Sequence, residues 1–375
     1  MPLKSNQSFP DMPENRGRRW IIIAALLFLL AALLGGNLWH YSRTPLITGV
    51  SRAPVIIYIP PGASFKQIQH ILSRAGLIEP DRRFLILARL TGAVGRLRAG
   101  EYRLPGRISP LDLLRRLRQG KTLRHFLTIP EGANIFQAAR LIADSGLADE
   151  RQALTLFHDP DFIHSLGLNE SSLEGYLFPD TYSFKRGMTA RSVIGRMVKR
   201  MTVEFSEECR QQSSNDRVII DCDLLKVSSP ADSPAKGYLH LKAREALILA
   251  SIVEKETAAP EERPVIAQVF INRLRKGMRL QTDPTVIYGL KKFHSPLTKV
   301  DLRTPTPYNT YILPALPQGP ICNPGAAALR AVMRPTPGHY YYFVSRHNGR
   351  HSFSTTLKEH NRAVRKYRDY KVSAP

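Results

Sequence analysis

Hydrophobic and polar positions fall into a few strong patterns along this chain. The strongest is Ala243 to Thr257, where Ala246, Leu249, Ala250 and Val253 recur at i, i+3, i+4 and i+7 while Leu247, Ile248 and Ile252 fill most of the remaining circumference. A helix that is apolar nearly all round belongs inside a domain. Its last turn carries Glu254, Lys255 and Glu256, and helical geometry puts Lys255 opposite the Ala246/Val253 face and Glu256 on the shoulder between Leu249 and Ile252. A carboxyl held against an apolar wall is disfavoured as an anion and can keep its proton near neutrality, as a general acid must. The same residues also suit a plain solvated helix end, and spacing alone leaves both readings open. Pro260 stops the helix. Glu261, Glu262 and Pro264 open a second one, with Val265, Ile266, Val269, Phe270 and Leu274 apolar and Arg273, Arg275 and Lys276 before Gly277.

At the other end of the chain, Trp20 to Trp39 is uncharged and mostly Ile, Leu and Ala, about the 20 residues needed to cross a bilayer core. The protein's two tryptophans bracket it, as interfacial aromatics do. Lys4, Arg16, Arg18 and Arg19 precede it, which places the N-terminus in the cytoplasm and the rest of the chain outside. A cleaved signal peptide fits less well, because the run is long for an h-region and Gly35 to Trp39 offers no small-x-small site.

After a linker, Val55 to Ile59 reads as a β-branched strand, Pro60-Pro61-Gly62 as a turn, and Ser64 with Gln67 as the capping box of a helix that buries Ile68, Ile71 and Leu72. Ile129 to Asn134 and Leu141-Ile142 repeat this unit about seventy residues on, the mark of a duplicated small α+β element. Between the copies lie a helix over Arg82 to Leu90, a strand over Gly100 to Leu104 and a helix begun by Ser109-Pro110. Ser206 to Lys236 is polar and reads as an inserted loop. Asn348-Gly349, between Tyr340 to Val344 and His351 to Ser354, is a type I′ hairpin signal, and Thr356 to Tyr367 an amphipathic basic helix.

Composition changes the picture in two respects. The formal charge of +23 asks for an anionic surrounding; for a chain outside the cytoplasm that means lipid headgroups and an acidic wall polymer, with no nucleic acid. Many arginines also suit simple solvated faces. Three cysteines, Cys209, Cys222 and Cys322, cannot form a complete disulfide framework or a zinc site, although Cys209 and Cys222 can pair, so neither metal nor cofactor is expected.

Several motifs now combine: Ala250 to Thr257, Val269-Phe270-Ile271-Asn272-Arg273-Leu274, Leu280 to Tyr288, Tyr308 to Tyr311, and Gly319-Pro320-Ile321 with Asn323-Pro324-Gly325. Together they resemble the endolytic murein transglycosylase family, also called MltG or YceG-like, from about Val55 to the C-terminus. Leu173 to Tyr182 matches a further family motif. The resemblance implies an α+β fold with a single transmembrane helix, a LysM-like module and an α+β catalytic domain built around the buried helix that carries the acid. It divides the chain into a cytoplasmic tail (1–19), a transmembrane helix (20–39), a linker (40–54), the LysM-like module (55–128) and the catalytic domain (129–375), with 206–236 as the insertion. The family's catalytic glutamate is the second of its Glu-Lys-Glu-Thr run, which is Glu256 here.

The implied reaction is cleavage of the bond between N-acetylmuramic acid and N-acetylglucosamine, leaving 1,6-anhydro ends, by an inner-membrane protein with its catalytic domain in the periplasm. Gln281, Asp283, Asn309 and Tyr311 are expected around the sugar, with Glu174 and Asp180 as further substrate contacts. The family also suggests glycan-polymerising synthases as neighbours and a role in ending new strands. A muramidase-type hydrolase pairing Glu256 with Asp283, and a non-enzymatic wall-binding anchor, are the alternatives.

Overall fold

The computed structural model describes residues 14–45, 53–212, 218–225, 239–346 and 348–370. It is an α+β protein in which the strands form separate two-stranded sheets, so helices do most of the packing. Helix α1 (Glu14–Arg43) contains the 26-residue stretch Arg18–Arg43, in which an 18-residue window has a mean hydropathy of 2.5, enough in length and apolarity to cross a membrane. Its large apolar side chains from Trp20 to Leu34 are exposed, an uncovered cylinder that extends about 30 Å between Trp20 and Trp39.

The chain forms two compact units: Met1–Arg124 with Lys185–Gly187, which includes α1, and His125–Phe184 with Met188–Pro375. In the first, β1 (Val55–Ile59) pairs antiparallel with β2 (Gly100–Leu104). Helices α2 (Phe65–Arg74), α3 (Arg83–Leu90) and α4 (Pro110–Gln119) join the pair over a core of Ile59, Leu72, Phe84, Tyr102, Leu113 and Leu117. The capping box is present: Gln67 N donates to Ser64 Oγ at 3.3 Å and Ser64 N to Gln67 Oε1 at 2.8 Å.

The second unit opens on the same device. After β3 (His125–Thr128), Gly132 takes the left-handed conformation (φ +72°) as Gly62 does (φ +76°), which suits a residue without Cβ. Helix α5 (Ile135–Asp144) then starts on a box in which Gln137 N donates to Asn134 Oδ1 at 2.9 Å and Asn134 N to Gln137 Oε1 at 3.1 Å. Helices α6 (Glu150–Phe157) and α7 (Pro160–Ser165) follow, and β4 (Thr181–Phe184) returns to pair antiparallel with β3.

The expected inserted loop differs from the structure where it is described. Ser206 to Arg210 complete α8 (Ala190–Arg210), and β5 (Val218–Ile220) pairs parallel with β6 (Leu239–Leu241). Val218 and Ile220 enter the core, and a Cys209–Cys222 disulfide with Cα atoms 5.5 Å apart ties strand to helix. Three residues of alternating burial are too short a signal to stand out from polar neighbours. Residues 213–217 and 226–238 lie outside the described residues. Cys322 is a buried free thiol.

Helix α9 (Ala243–Glu256) is the centre of the unit. It packs on α10 (Arg263–Arg275), α11 (Asp283–Gly289) and α12 (Ala326–Met333), and every residue from Ala246 to Val253 is at most 1% exposed. Ser251 is tolerated there because its hydroxyl donates to Ile248 O at 2.7 Å and accepts from Ile321 N at 3.1 Å. Each Leu or Ile buried on this helix stabilises by about 1.5–3 kcal/mol relative to exposure, so the position of its last turn is set by the whole core.

A hairpin of β7 (Tyr342–Ser345) and β8 (His351–Ser354) and the helix α13 (Leu357–Tyr370) close the chain. The hairpin forms on a loop longer than the two residues of a type I′ turn: Arg346 N donates to Arg350 O at 2.8 Å, and Gly349 has φ +77°. His351 faces Glu262 at 2.7 Å and His360 stacks on Tyr342, structural roles for both; His347 lies outside the described residues.

Candidate active site

Helix α9 ends at Glu256 because Thr257 is extended (φ −143°, ψ 139°), with its Oγ1 accepting Ala259 N at 3.0 Å. The last turn then sends its three charged side chains to three environments. Glu254 is buried, accepting Arg263 Nη2 at 2.7 Å and Gly325 N at 3.0 Å. Lys255 is exposed and reaches Gly132 O at 3.3 Å. Glu256 is half-buried, and the Thr282 hydroxyl donates to its Oε1. Only the lysine behaves as a solvated helix end.

Burial pushes the Glu256 carboxyl up to a pKa of about 7. The Thr282 hydroxyl opposes the rise, the charge of Asp283 adds to it, and the Arg273 guanidinium opposes it. The negative pole of α9 acts in the same direction as burial, since the last carbonyls of a helix disfavour an anion. A carboxyl that titrates near 7 gives up and recovers a proton with little cost in either direction, the condition for one group to serve as acid and then base.

The loop before α11 carries the groups around it. Gln281 N donates to Thr310 O at 3.2 Å, Thr282 N to Thr310 Oγ1 at 3.1 Å, and Thr285 Oγ1 to Thr282 O at 2.7 Å, with the Thr285 and Thr310 hydroxyls 2.8 Å apart. Gln281 has φ +51°, a conformation that costs an L-residue roughly 1–2 kcal/mol. That twist leaves Gln281 exposed and buries Thr282 against the acid. Next to it, Tyr311 Oη donates to Asp283 Oδ1 at 2.7 Å. On the far side of α11, the rings of Phe136, Tyr288, Phe293 and Tyr308 form a half-buried wall, with Lys291 5.2 Å above Phe136.

Gln281, Asp283 and Tyr311 are thus gathered on the loops beside Glu256. Asn309 stands behind them: it is wholly buried, its Nδ2 donates to Leu302 O at 3.1 Å and Thr304 O at 2.8 Å, and its Oδ1 accepts Tyr311 N at 2.9 Å. It shapes the loop and has no free group to offer a ligand. Glu174 is likewise interior, accepting Ile135 N at 3.1 Å, and burial lifts its pKa to about 7. Asp180 is exposed, accepts Thr181 N at 2.7 Å and faces Arg200 at 3.9 Å next to β4.

Two groups in electrical contact with the acid were not among the expected site residues. Thr282 is buried at 2% exposure. Arg273 is also buried, its Nε donating to Tyr341 O at 2.7 Å and its Nη1 to Leu280 O at 2.5 Å. In sequence, Arg273 resembles any cation closing a helix; a basic residue one position before the half-buried Leu274 was the available signal.

The fold and site define a class: an α+β protein behind one apolar N-terminal helix, with a carboxyl whose pKa is raised to about 7 at the end of a buried helix, beside a threonine hydroxyl and a tyrosine–aspartate pair. The chain belongs to the YceG-like family, whose model matches residues 57–366. It is 31% identical over 352 residues to the endolytic murein transglycosylase of Bacillus subtilis (strain 168), covering 89% of this chain and 91% of that protein. To the endolytic murein transglycosylase of Streptococcus pneumoniae serotype 2 (strain D39) it is 30% identical over 390 residues, covering 94% of this chain and 66% of the relative. The crystal structure of a YceG-like protein from Listeria monocytogenes superposes with a TM-score of 0.52 at 31% identity, covering 84% of this chain and all of that one.

Proposed function

We propose that this protein is an endolytic peptidoglycan lytic transglycosylase, a lyase, held by α1 in the inner membrane with its two units in the periplasm. The observation that carries the reading is the Glu256 carboxyl, half-buried at the end of α9 with its pKa near 7. Protonated Glu256 gives its proton to the oxygen joining N-acetylmuramic acid to N-acetylglucosamine as the bond from C1 to that oxygen breaks. The C6 hydroxyl of the same muramic residue attacks C1, and its proton passes to the carboxylate. Proton and bonds balance without water, and the product is a 1,6-anhydro end.

The surrounding groups have stated tasks. Thr282 occupies Oε1, which leaves Oε2 to carry the proton that is transferred. Asp283, oriented by Tyr311, supplies negative charge toward the oxocarbenium-like centre, and Gln281 and Tyr311 contact the sugar. Ordinary glycosidases need a second carboxylate to activate water or attack carbon; an internal hydroxyl nucleophile removes that need. The first unit, a LysM-like module in this reading, holds glycan or spaces the cleft from the membrane. Cleavage at internal bonds would end new strands beside the synthases that make them.

Digestion of purified glycan strands in H₂¹⁸O, followed by mass spectrometry, tests the reaction. Anhydro ends with no ¹⁸O, lost in Glu256→Gln, support it. Incorporated ¹⁸O makes the protein a muramidase that uses Asp283 against water, and unchanged cleavage by Glu256→Gln removes the acid from the mechanism.

A further inference from the structure

The first unit contains a cavity of about 500 Å³ that the proposed reaction does not use. Its wall carries six cations, Arg43, Arg103, Arg107, Arg115, Arg116 and Lys121, against one carboxylate, Asp112. That carboxylate is already engaged: Oδ1 accepts Arg115 Nη1 at 3.3 Å and Oδ2 accepts Ser109 Oγ at 2.8 Å. Arg103, Arg107, Arg116 and Lys121 are exposed and form no ion pair among the described residues. Like charges gathered round a concave surface repel one another unless an anion enters.

The position of the cavity narrows the anion. Helix α1 does not end as a free tether: Tyr41 and Ser42 are buried, Leu38 packs on the core of the first unit, and α1 lies against α3 and α4. The Arg83 guanidinium lies 4.5 Å from the Tyr41 ring centre. Arg43, on the cavity wall, is one helical turn past Trp39, about 6 Å along the axis. The headgroup layer on each side of a bilayer core is roughly 5–8 Å thick. With Trp39 at the edge of the hydrocarbon, the Arg43 edge of the cavity wall lies at headgroup depth.

We infer that this cavity is a binding site for the phosphate headgroup of an anionic membrane lipid in the outer leaflet. The inference rests on reading α1 as a membrane anchor and is independent of the chemistry assigned to Glu256. Guanidinium groups suit the ligand, because their paired N–H donors match phosphate oxygens. The cavity is roomy enough for a phosphodiester with its attached headgroup. Cations on a translocated domain do not set orientation, so their concentration beside the membrane is not explained by topology.

The test uses the full chain in neutral detergent, with native mass spectrometry to measure binding of phosphatidylglycerol and phosphatidylcholine. Three variants are compared: wild type, the cavity variant Arg103→Gln/Arg107→Gln/Arg116→Gln, and a control of equal charge loss, Arg74→Gln/Arg89→Gln/Arg118→Gln. At about fivefold per cation, the cavity variant loses on the order of 100-fold in phosphatidylglycerol affinity and the control retains it. Equal losses in both variants, or none in either, overturn the site; an unchanged melting temperature shows that the variants are folded. Displacement of the lipid by an equal concentration of soluble pyrophosphate overturns the lipid assignment in favour of a soluble phosphate. Flotation of the full chain with pure phosphatidylcholine vesicles checks the anchor separately: failure to float sinks the anchor and this proposal with it, whereas flotation without phosphatidylglycerol selectivity sinks the cavity assignment alone.

Discussion

Glu256→Gln tests the environment of the acid without any substrate. In the folded chain burial holds this carboxyl at a pKa of about 7, against 4.5 for an ordinary glutamate. Between those values the folded state binds more protons than the unfolded state, so stability falls as pH rises. The loss starts near pH 4.5 and is complete a little above pH 7. A difference of that size corresponds to about 3 kcal/mol, and partial exposure of the side chain reduces it to about 2 kcal/mol. Glutamine keeps the same shape and can still accept the Thr282 hydroxyl bond, yet it does not titrate. Urea unfolding of the full chain in neutral detergent, followed between pH 4 and 8.5, should therefore find the two proteins equal at the acid end and the glutamine variant about 2 kcal/mol more stable at the alkaline end. Glu174, also raised to about 7, contributes equally to both and cancels. A pH-independent difference, or a wild type that gains stability relative to the variant as pH rises, would mean a solvated or ion-paired carboxylate, unable to hold its proton at neutral pH.

Thr282→Val removes the donor that favours the ionised form, so the alkaline limb of the activity profile moves up by about one pH unit and the rate at neutral pH falls by about tenfold as the carboxyl loses its orientation; Thr282→Ser restores both, and an unmoved limb refutes the assignment. Arg263→Met leaves Glu254 buried without its cation and costs about 3–5 kcal/mol by urea unfolding, while Arg263→Met combined with Glu254→Leu recovers part of that loss in a double-mutant cycle. Gly175→Ala places a Cβ 2.5 Å from the Pro320 ring at φ +86°, so a drop of about 2–4 kcal/mol in unfolding free energy is expected, with no change in the pH profile of the surviving activity.

The sequence was most legible where a pattern and its consequence are local. The Ser64/Gln67 box, its copy at Asn134/Gln137 and the apolar circumference of α9 each depend on residues a few positions apart, and all are present in the structure. The pairing of β3 with β4 was not legible, because Thr128 and Thr181 meet across 53 residues and no spacing rule links them. The site divides in the same way. Helical geometry turned Glu256 toward the apolar side and Lys255 away from it. Whether Asn309 faces a ligand or the protein depends on the carbonyls of Leu302 and Thr304, and whether Arg273 is solvated depends on Leu280 and Tyr341, contacts that a one-dimensional pattern does not contain.

Asn323 has a consequence for when activity can first exist. Its Nδ2 donates to Ala133 O at 2.8 Å and its Oδ1 accepts Leu177 N at 2.9 Å, across 190 and 146 residues, and Gly132 N donates to its carbonyl at 2.9 Å. These contacts tie the segment after β3 and the loop before β4 to a residue late in the chain, two positions before Gly325, whose N donates to Glu254 on the last turn of α9. A chain shortened before Asn323 leaves Ala133 O and Leu177 N without these partners, so the last turn of α9 reaches its final surroundings only after residues 323–325 have folded onto it.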